Sequence, residues 1–207
     1  MPYQPQFQQR DVHVLSKHAL HEGFWRVHQL RLNHALFSGG LSAPMVRELC
    51  IRQDAVAVLL YDPKHQRIAL VEQFRVGMIG RKQSPWLLEL VAGMMDKTGE
   101  DVEAVARRET HEEAGLVIED LEHVCEYYVS PGGSCERLTV LCGKVNLRDV
   151  NGGLFGVAQE HEDIRLHVLP VQEVMTLLNQ GVINNAMTII ALQWLQLHAE
   201  RLNRQWR

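Results

Sequence analysis

AGMMDKTGEDVEAVARRETHEEAGL, residues 92–116, carries more structural information than any other segment of the chain. A helix from about Glu100 to Ala114 fits it, with Gly115 as the residue that ends the helix in a left-handed turn. At about 100° per residue, Val102, Val105, Ala106, Glu109 and Glu113 fall on one stripe. The face begins apolar and becomes carboxylate in its second half. Glu112 lies one position off that stripe, and Arg107 and Arg108 point elsewhere. Two like charges about 4 Å apart repel by roughly 1 kcal/mol in water and roughly 4 kcal/mol at a protein-like dielectric. A hard divalent cation relieves that repulsion, so the stretch suggests a metal site. Two other readings stand beside it: a solvated acidic face, and phosphate binding by helix N-terminal amides without metal. The carboxylates lie in the later turns, where they would repel phosphate unless a cation intervened. Glu109, Glu112 and Glu113 also fall within one helical turn, which suits Mg²⁺ bound by carboxylates, waters and substrate phosphate oxygens.

Working outward, the flanks read as strands. Ala55–Tyr61 (AVAVLLY) is a continuous apolar run ended by Asp62-Pro63, so a buried strand is expected. Arg67–Arg75 and Trp86–Val91 are further strands on the N-terminal side of the helix. Leu121–Ser130 and Glu136–Val145 follow it, separated by Pro131-Gly132-Gly133. The segment 146–159 is glycine-rich and poorly periodic, hence a loop, of a length that is often functional. Asp163–Leu169 reads as a strand, and Val171–Asn179 and Asn184–Leu202 as helices. The last helix carries an apolar stripe of Met187, Ile190, Ala191, Trp194 and Leu195, better explained by core packing than by ligand contact. Upstream, residues 1–10 read as a loose tail. Asp11–Leu20, Phe24–Leu36 and Met45–Arg52 are strands, with a turn at Ser38-Gly39-Gly40. The expected architecture is α/β, with residues 1–50 forming a β-rich unit ahead of a domain over 51–207.

Composition narrows the function classes. The chain has 207 residues, 46% hydrophobic and 22% charged, enough for a sizeable core. A net charge of −4 gives no global basic footprint for nucleic acid. No apolar run approaches the roughly 18 residues of a membrane span, and the polar N-terminus lacks a signal-peptide core. Cys50, Cys125, Cys135 and Cys142 show no CxxC spacing and read as reduced thiols in a cytoplasmic protein. The eleven histidines are scattered without a metal-ligand pattern.

Gly93, Glu100, Arg108-Glu109, Glu112-Glu113, Gly115 and Leu116 together resemble the Nudix box: a glycine, a glutamate, then Arg-Glu-x-x-Glu-Glu-x-Gly and an aliphatic. The spacing from Gly93 to Glu100 is one residue longer than usual, and Thr110 replaces an aliphatic. Neither departure touches the acidic positions. The similarity reaches further. Val71-Glu72-Gln73-Phe74-Arg75, Trp86-Leu87-Leu88-Glu89, Ser130-Pro131-Gly132-Gly133 with Glu136, Glu162-Asp163-Ile164 and Asn185–Trp194 resemble the bacterial ADP-ribose pyrophosphatase branch of that family. The resemblance implies an α/β/α sandwich with an N-terminal β-rich subdomain. It also implies Mg²⁺-dependent hydrolysis of ADP-ribose to AMP and ribose 5-phosphate, with Mn²⁺ as a possible substitute. A homodimer that exchanges N-terminal strands, with active sites shared between subunits, is implied as well.

The same resemblance distributes roles. It implies Glu109, Glu113 and the carbonyl of Ala92 as metal ligands, with Glu112 in the cluster. The box says nothing about the base. Gln159-Glu160-His161-Glu162, at the end of the long loop, carries two carboxylates that resemblance points to, Glu160 as proton acceptor and Glu162 as a further metal ligand, or the reverse. Phe24-Trp25 matches the branch's adenine-contacting pair. Arg47 and Arg75 match its substrate-binding arginines, whose planar guanidinium suits bidentate phosphate contact. Ser130, Pro131 and Gly132 match a turn contributed by the partner subunit, and Glu136 a contact to the ribose end. Cys135 stands where small hydroxyl residues are common. Two alternatives remain: the same chemistry on another nucleoside diphosphate sugar, and a non-catalytic domain that senses ADP-ribose. Intact Glu109, Glu112 and Glu113 argue against the second.

Overall fold

A computed structural model describes residues 2–206; Met1 and Arg207 lie outside the described residues. Contacts divide the chain into two compact units: residues up to Gln53 together with Tyr128–Arg137, and Asp54–Tyr127 with the rest from Leu138.

The first unit is a three-stranded antiparallel sheet in the order β1-β2-β3, with β1 (Val12–Glu22), β2 (Arg26–His34) and β3 (Met45–Ile51). Gln9–Asp11 forms a 3₁₀ turn within the expected tail. β1 and β2 pair from Val12 against His34 to Glu22 against Arg26, with irregularities after Val14 and Ala19. The hairpin closes through 23–25. Phe24 and Trp25 therefore sit in the turn and not in the strand expected from residue 24 onward. β1 is exposed along its whole length except at Ser16.

The second unit carries β4 (Ala55–Asp62), β5 (Arg67–Phe74), β6 (Trp86–Glu89), β7 (Val91–Met94), α1 (Val102–Ala114), β8 (Asp120–Tyr128), β9 (Arg137–Lys144), β10 (Gly153–Phe155), β11 (Ile164–Pro170), α2 (Val171–Asn179) and α3 (Ala186–Gln205). Its mixed sheet runs β10-β11-β5-β4-β9-β8, with β6 paired to β5 and β7 to β4. β4 is the central strand, parallel to β9 and antiparallel to β5 and β7. Being covered on both faces, it is apolar without alternation. Its odd residues Ala57, Leu59 and Tyr61 pack in one core with α2 and α3 residues such as Val174, Ala191, Leu192 and Leu195. Its even residues Val56, Val58 and Leu60 pack in the other core with Val105, Ala106 and Ala114 of α1. The result is an α/β/α sandwich with mixed α/β architecture. Among the described residues, no helix is long and apolar enough to cross a membrane.

Two sequence expectations change here. Trp86–Val91 is not one strand: β6 and β7 part at Leu90, where the chain leaves β5 for β4. The Leu90 N–H, lost to the ladder, donates to Thr188 Oγ1 at 3.1 Å, and Asn185 Nδ2 donates to the Leu88 carbonyl at 2.9 Å. The first turn of α3 thus holds the switch. The 146–159 segment is also not wholly irregular, since β10 adds an edge strand with Phe155 opposite Ile164.

Candidate active site

Asp101 caps the start of α1, its side chain accepting from the Ala104 N–H at 2.8 Å, and Gly115, with φ of +65°, caps its end. Because Val105 and Ala106 anchor the helix on the sheet, Glu109 and Glu113 must follow onto the same side, one and two turns later. Glu113 is only 2% exposed. Its Oε2 accepts from the Ala92 N–H of β7 at 3.1 Å. Burial pushes its carboxyl up to about 8; the Ala92 N–H and Arg75 act against that, and the charges of Glu109 and Glu162 add to it. Glu109 is also pushed up, chiefly by burial, with Arg108 opposing and Glu112 and Glu162 adding.

Arg108 gathers the other carboxylates. Its guanidinium donates to Glu100 at 2.9 and 3.0 Å, to Glu109 at 2.6 Å and to Glu112 at 3.0 Å. Its hydrogen bonds to Glu100, more than any other contact, hold the guanidinium protonated. Glu109 lies so close to β7 that a Cβ on Gly93 would stand 1.9 Å from its Oε1. Gly93 is a glycine because the carboxylate occupies the place of a side chain. The loop after β10 brings the last pieces. Gly156 N donates to the Glu112 carbonyl at 3.4 Å, and Glu162 Oε2 accepts from Val157 N at 3.0 Å. Glu162 thus stands near enough to raise both helix carboxyls. Glu160 is exposed in the 3₁₀ turn Ala158–Glu160, just before His161 with φ of +57°.

Among the described residues, no three His, Cys, Asp or Glu side chains are already gathered as a cation cage. Arg108 instead neutralises Glu109 and Glu112. The donors nonetheless fit a hard cation: they are all oxygen, two are carboxyls whose pKa is raised first by burial and then by neighbouring carboxylates, and they meet at a glycine cradle. Arg75 lies beside them, its Nε donating to Glu89 Oε2 at 2.7 Å. A cavity of about 610 Å³, lined by Glu72, Trp86, His167 and Glu173 among others, includes none of the α1 carboxylates.

The first unit holds the remaining predicted residues. Phe24 and Trp25 meet edge to face, ring centroids 6.3 Å apart, with Phe24 76% exposed. The guanidinium of Arg52 stacks 4.0 Å from the Trp25 ring and lies 3.4 Å from Glu136 Oε1. Sequence reading passed over Arg52; an arginine just past a strand carries no local signal, and only the fold brings 52 to 25 and 136. Ser130, Pro131 and Gly132 form an exposed turn that Ser134 N closes by donating to the Ser130 carbonyl at 2.9 Å. Cys50 N then ties that turn to β3 through the Gly133 carbonyl at 2.8 Å. Arg47 is exposed, and its Nη1 donates to the neighbouring Val46 carbonyl at 2.8 Å.

Known proteins resemble this chain along most of its length. A family model described as NUDIX domain matches residues 51–191. An ADP-ribose pyrophosphatase from Haemophilus influenzae is 41% identical over 204 residues, 97% of this chain and 93% of the relative. One from Escherichia coli K12 is 40% identical over 200 residues, 97% of this chain and 95% of its own. A GDP-mannose pyrophosphatase from Pectobacterium atrosepticum is 32% identical over 185 residues, 88% and 92% of the two chains. Among solved structures, one described as an ADP compounds hydrolase superposes with a TM-score of 0.72 at 20% identity, covering 96% of this chain and 98% of its own, a likeness of fold.

Proposed function

This chain belongs to the NUDIX domain family, and from that premise we propose that it hydrolyses the diphosphate of ADP-ribose to AMP and ribose 5-phosphate. The observation that carries the reading is the 40–41% identity to ADP-ribose pyrophosphatases along 97% of the chain. The acidic pair of α1, Glu113 buried and Glu109 partly buried, both close enough to Glu162 to be raised by its charge, supports turnover over mere sensing.

Nudix hydrolases generally use divalent cations, and Mg²⁺ is the one proposed here, with Mn²⁺ as a substitute. Glu109, Glu113, Glu162 and the Ala92 carbonyl would hold it, with Glu112 completing the cluster. When bound, the cation supplies charge neutralisation at the diphosphate and acidifies water. The chain's own residues do the rest. Arg75 binds a phosphate oxygen by charge-assisted hydrogen bonds. Glu160, on the exposed turn, takes the proton of the attacking water as its oxygen bonds to phosphorus and the bridging P–O bond breaks. Phe24 and Trp25 cover the adenine, and Arg47 adds a cation to the substrate site. Ser130, Pro131 and Gly132 of the partner subunit complete the site, and Glu136 holds the ribose end. The proposed assembly is a cytoplasmic homodimer with exchanged N-terminal units, residues 1–50 serving dimerisation and substrate binding.

The GDP-mannose pyrophosphatase relative motivates one alternative, another nucleoside diphosphate sugar as preferred substrate. A panel of ADP-ribose, GDP-mannose, NADH and diadenosine polyphosphates with Mg²⁺, read as phosphate released by an added phosphatase, decides between them. ADP-ribose is expected to give the highest kcat/KM; equal or faster turnover of GDP-mannose would overturn the substrate assignment.

A further inference from the structure

Glu72 and Gln73 of β5, Arg75 just past its end and Glu89 of β6 are sorted by face through the alternation of extended backbone. Glu72 goes to the face of α2 and α3, where its Oε2 lies 2.8 Å from His167 Nε2. Gln73, Arg75 and Glu89 go to the face of α1. In the register, Glu89 opposes Val71 and Gln73 opposes Leu87. Arg75 reaches diagonally back to Glu89, with Gln73 between them along β5. Gln73 and Glu89 are themselves diagonal neighbours, a spacing that long side chains bridge.

Gln73 is 8% exposed, and its Nε2 is sealed from solvent with no hydrogen-bond partner among the described residues. A buried amide donor without an acceptor is destabilising, and an apolar residue of the same shape would serve packing better. Gln73 lies in a segment shared with the family, yet the resemblance gives its side chain no role. Its position shows where an acceptor would come from. Glu89 is 4% exposed, and burial pushes its carboxyl up, with Arg75 acting against that. Arg75 is half-buried, its side chain open enough to turn outward. Once Arg75 turns to a phosphate oxygen, Glu89 is left as a buried carboxylate without its counter-charge, a costly state.

We propose that Gln73 is a positioning residue that covers Glu89 when Arg75 moves to the substrate, its Nε2 donating to the carboxylate the guanidinium has released. Arg75 then has two stations, Glu89 in the free enzyme and the diphosphate in the loaded one, and Gln73 lowers the cost of the second. The idea rests on the reading of Arg75 as a phosphate ligand.

Gln73→Met tests it, because methionine keeps the volume and removes the amide. The free variant should unfold at the wild-type temperature or above, since it sheds an unpaired donor. Its KM for ADP-ribose should rise about tenfold, the size of one buried hydrogen bond, while kcat changes much less. In an Arg75→Met background the same substitution should add nothing to KM, because nothing then leaves Glu89 on binding. A wild-type KM in Gln73→Met overturns the proposal, as does a KM increase that persists in full without Arg75. If ADP-ribose proves not to be the substrate, the functional reading fails separately. The same cycle then runs on whichever member of the panel is hydrolysed, and an unchanged KM there overturns the role of Gln73 on its own.

Discussion

Glu113 shows how one buried carboxyl links stability to pH. Its pKa rises from the ordinary 4.5 to about 8 in the free chain. Between those values the folded state holds a proton that the unfolded state has lost. Stability contributed by Glu113 is therefore full below about 4.5 and is lost as pH rises toward about 8, with a slope of up to about 1.4 kcal/mol per unit. Chelator-treated protein should show that fall in denaturant titrations across the range. Mg²⁺ should reverse it, since a ligand must be deprotonated to bind. Glu113→Gln should flatten the profile and lower kcat at least about a hundredfold without loss of fold. Near-normal turnover in that variant would remove Glu113 from the metal site. Arg108 makes the complementary point. Its contacts to Glu100, Glu109 and Glu112 cover charges that a cation would otherwise meet, so a cation entering there would have to compete with a guanidinium already in place.

At the level of elements, the site is made where β7 meets α1. β7 presents the Ala92 N–H to Glu113 and the bare Cα of Gly93 to Glu109. Gly93→Ala should fold, because the group it displaces is the end of a flexible side chain, yet it should push Glu109 away and weaken Mg²⁺ binding about tenfold or more by calorimetry. Unchanged affinity would mean that Glu109 is not a ligand. The one-residue-longer spacing from Gly93 to Glu100 is absorbed before α1, in the segment after Met94, and leaves the contact between Gly93 and Glu109 intact. The helix itself was legible from residues 100–115, since i, i+4 spacing and a Gly C′ are local, although it starts at Val102, past the expected Glu100, with Asp101 as its cap. The break at Leu90 was not. An apolar run such as WLLELV looks like one strand whether it keeps one partner or changes partner midway, and the hydroxyl that permits the change comes from Thr188.

For the whole molecule, the central question is how many chains make one site. β1 offers Val12, Val14, Leu15 and Leu20 to solvent, an apolar edge with no cover from its own sheet. We expect sedimentation at micromolar concentration to give a dimer, and Val14→Asp with Leu20→Asp to give a monomer with impaired turnover. A wild-type monomer would sink the shared-site arrangement. The acidic helix, the buried strand β4 and the family are legible along the chain, because periodicity and motif spacing act within a few residues of one another. Tertiary structure alone decided which of those charges are buried. It set Glu113 under β7, placed Arg52 on Trp25 and Glu136, and put Gln73 beside the Arg75–Glu89 pair. Each of these depends on strand register and on helix-to-sheet packing between residues distant in sequence, and burial, which fixes the strength of a charge or an unpaired amide, exists only once the chain has folded.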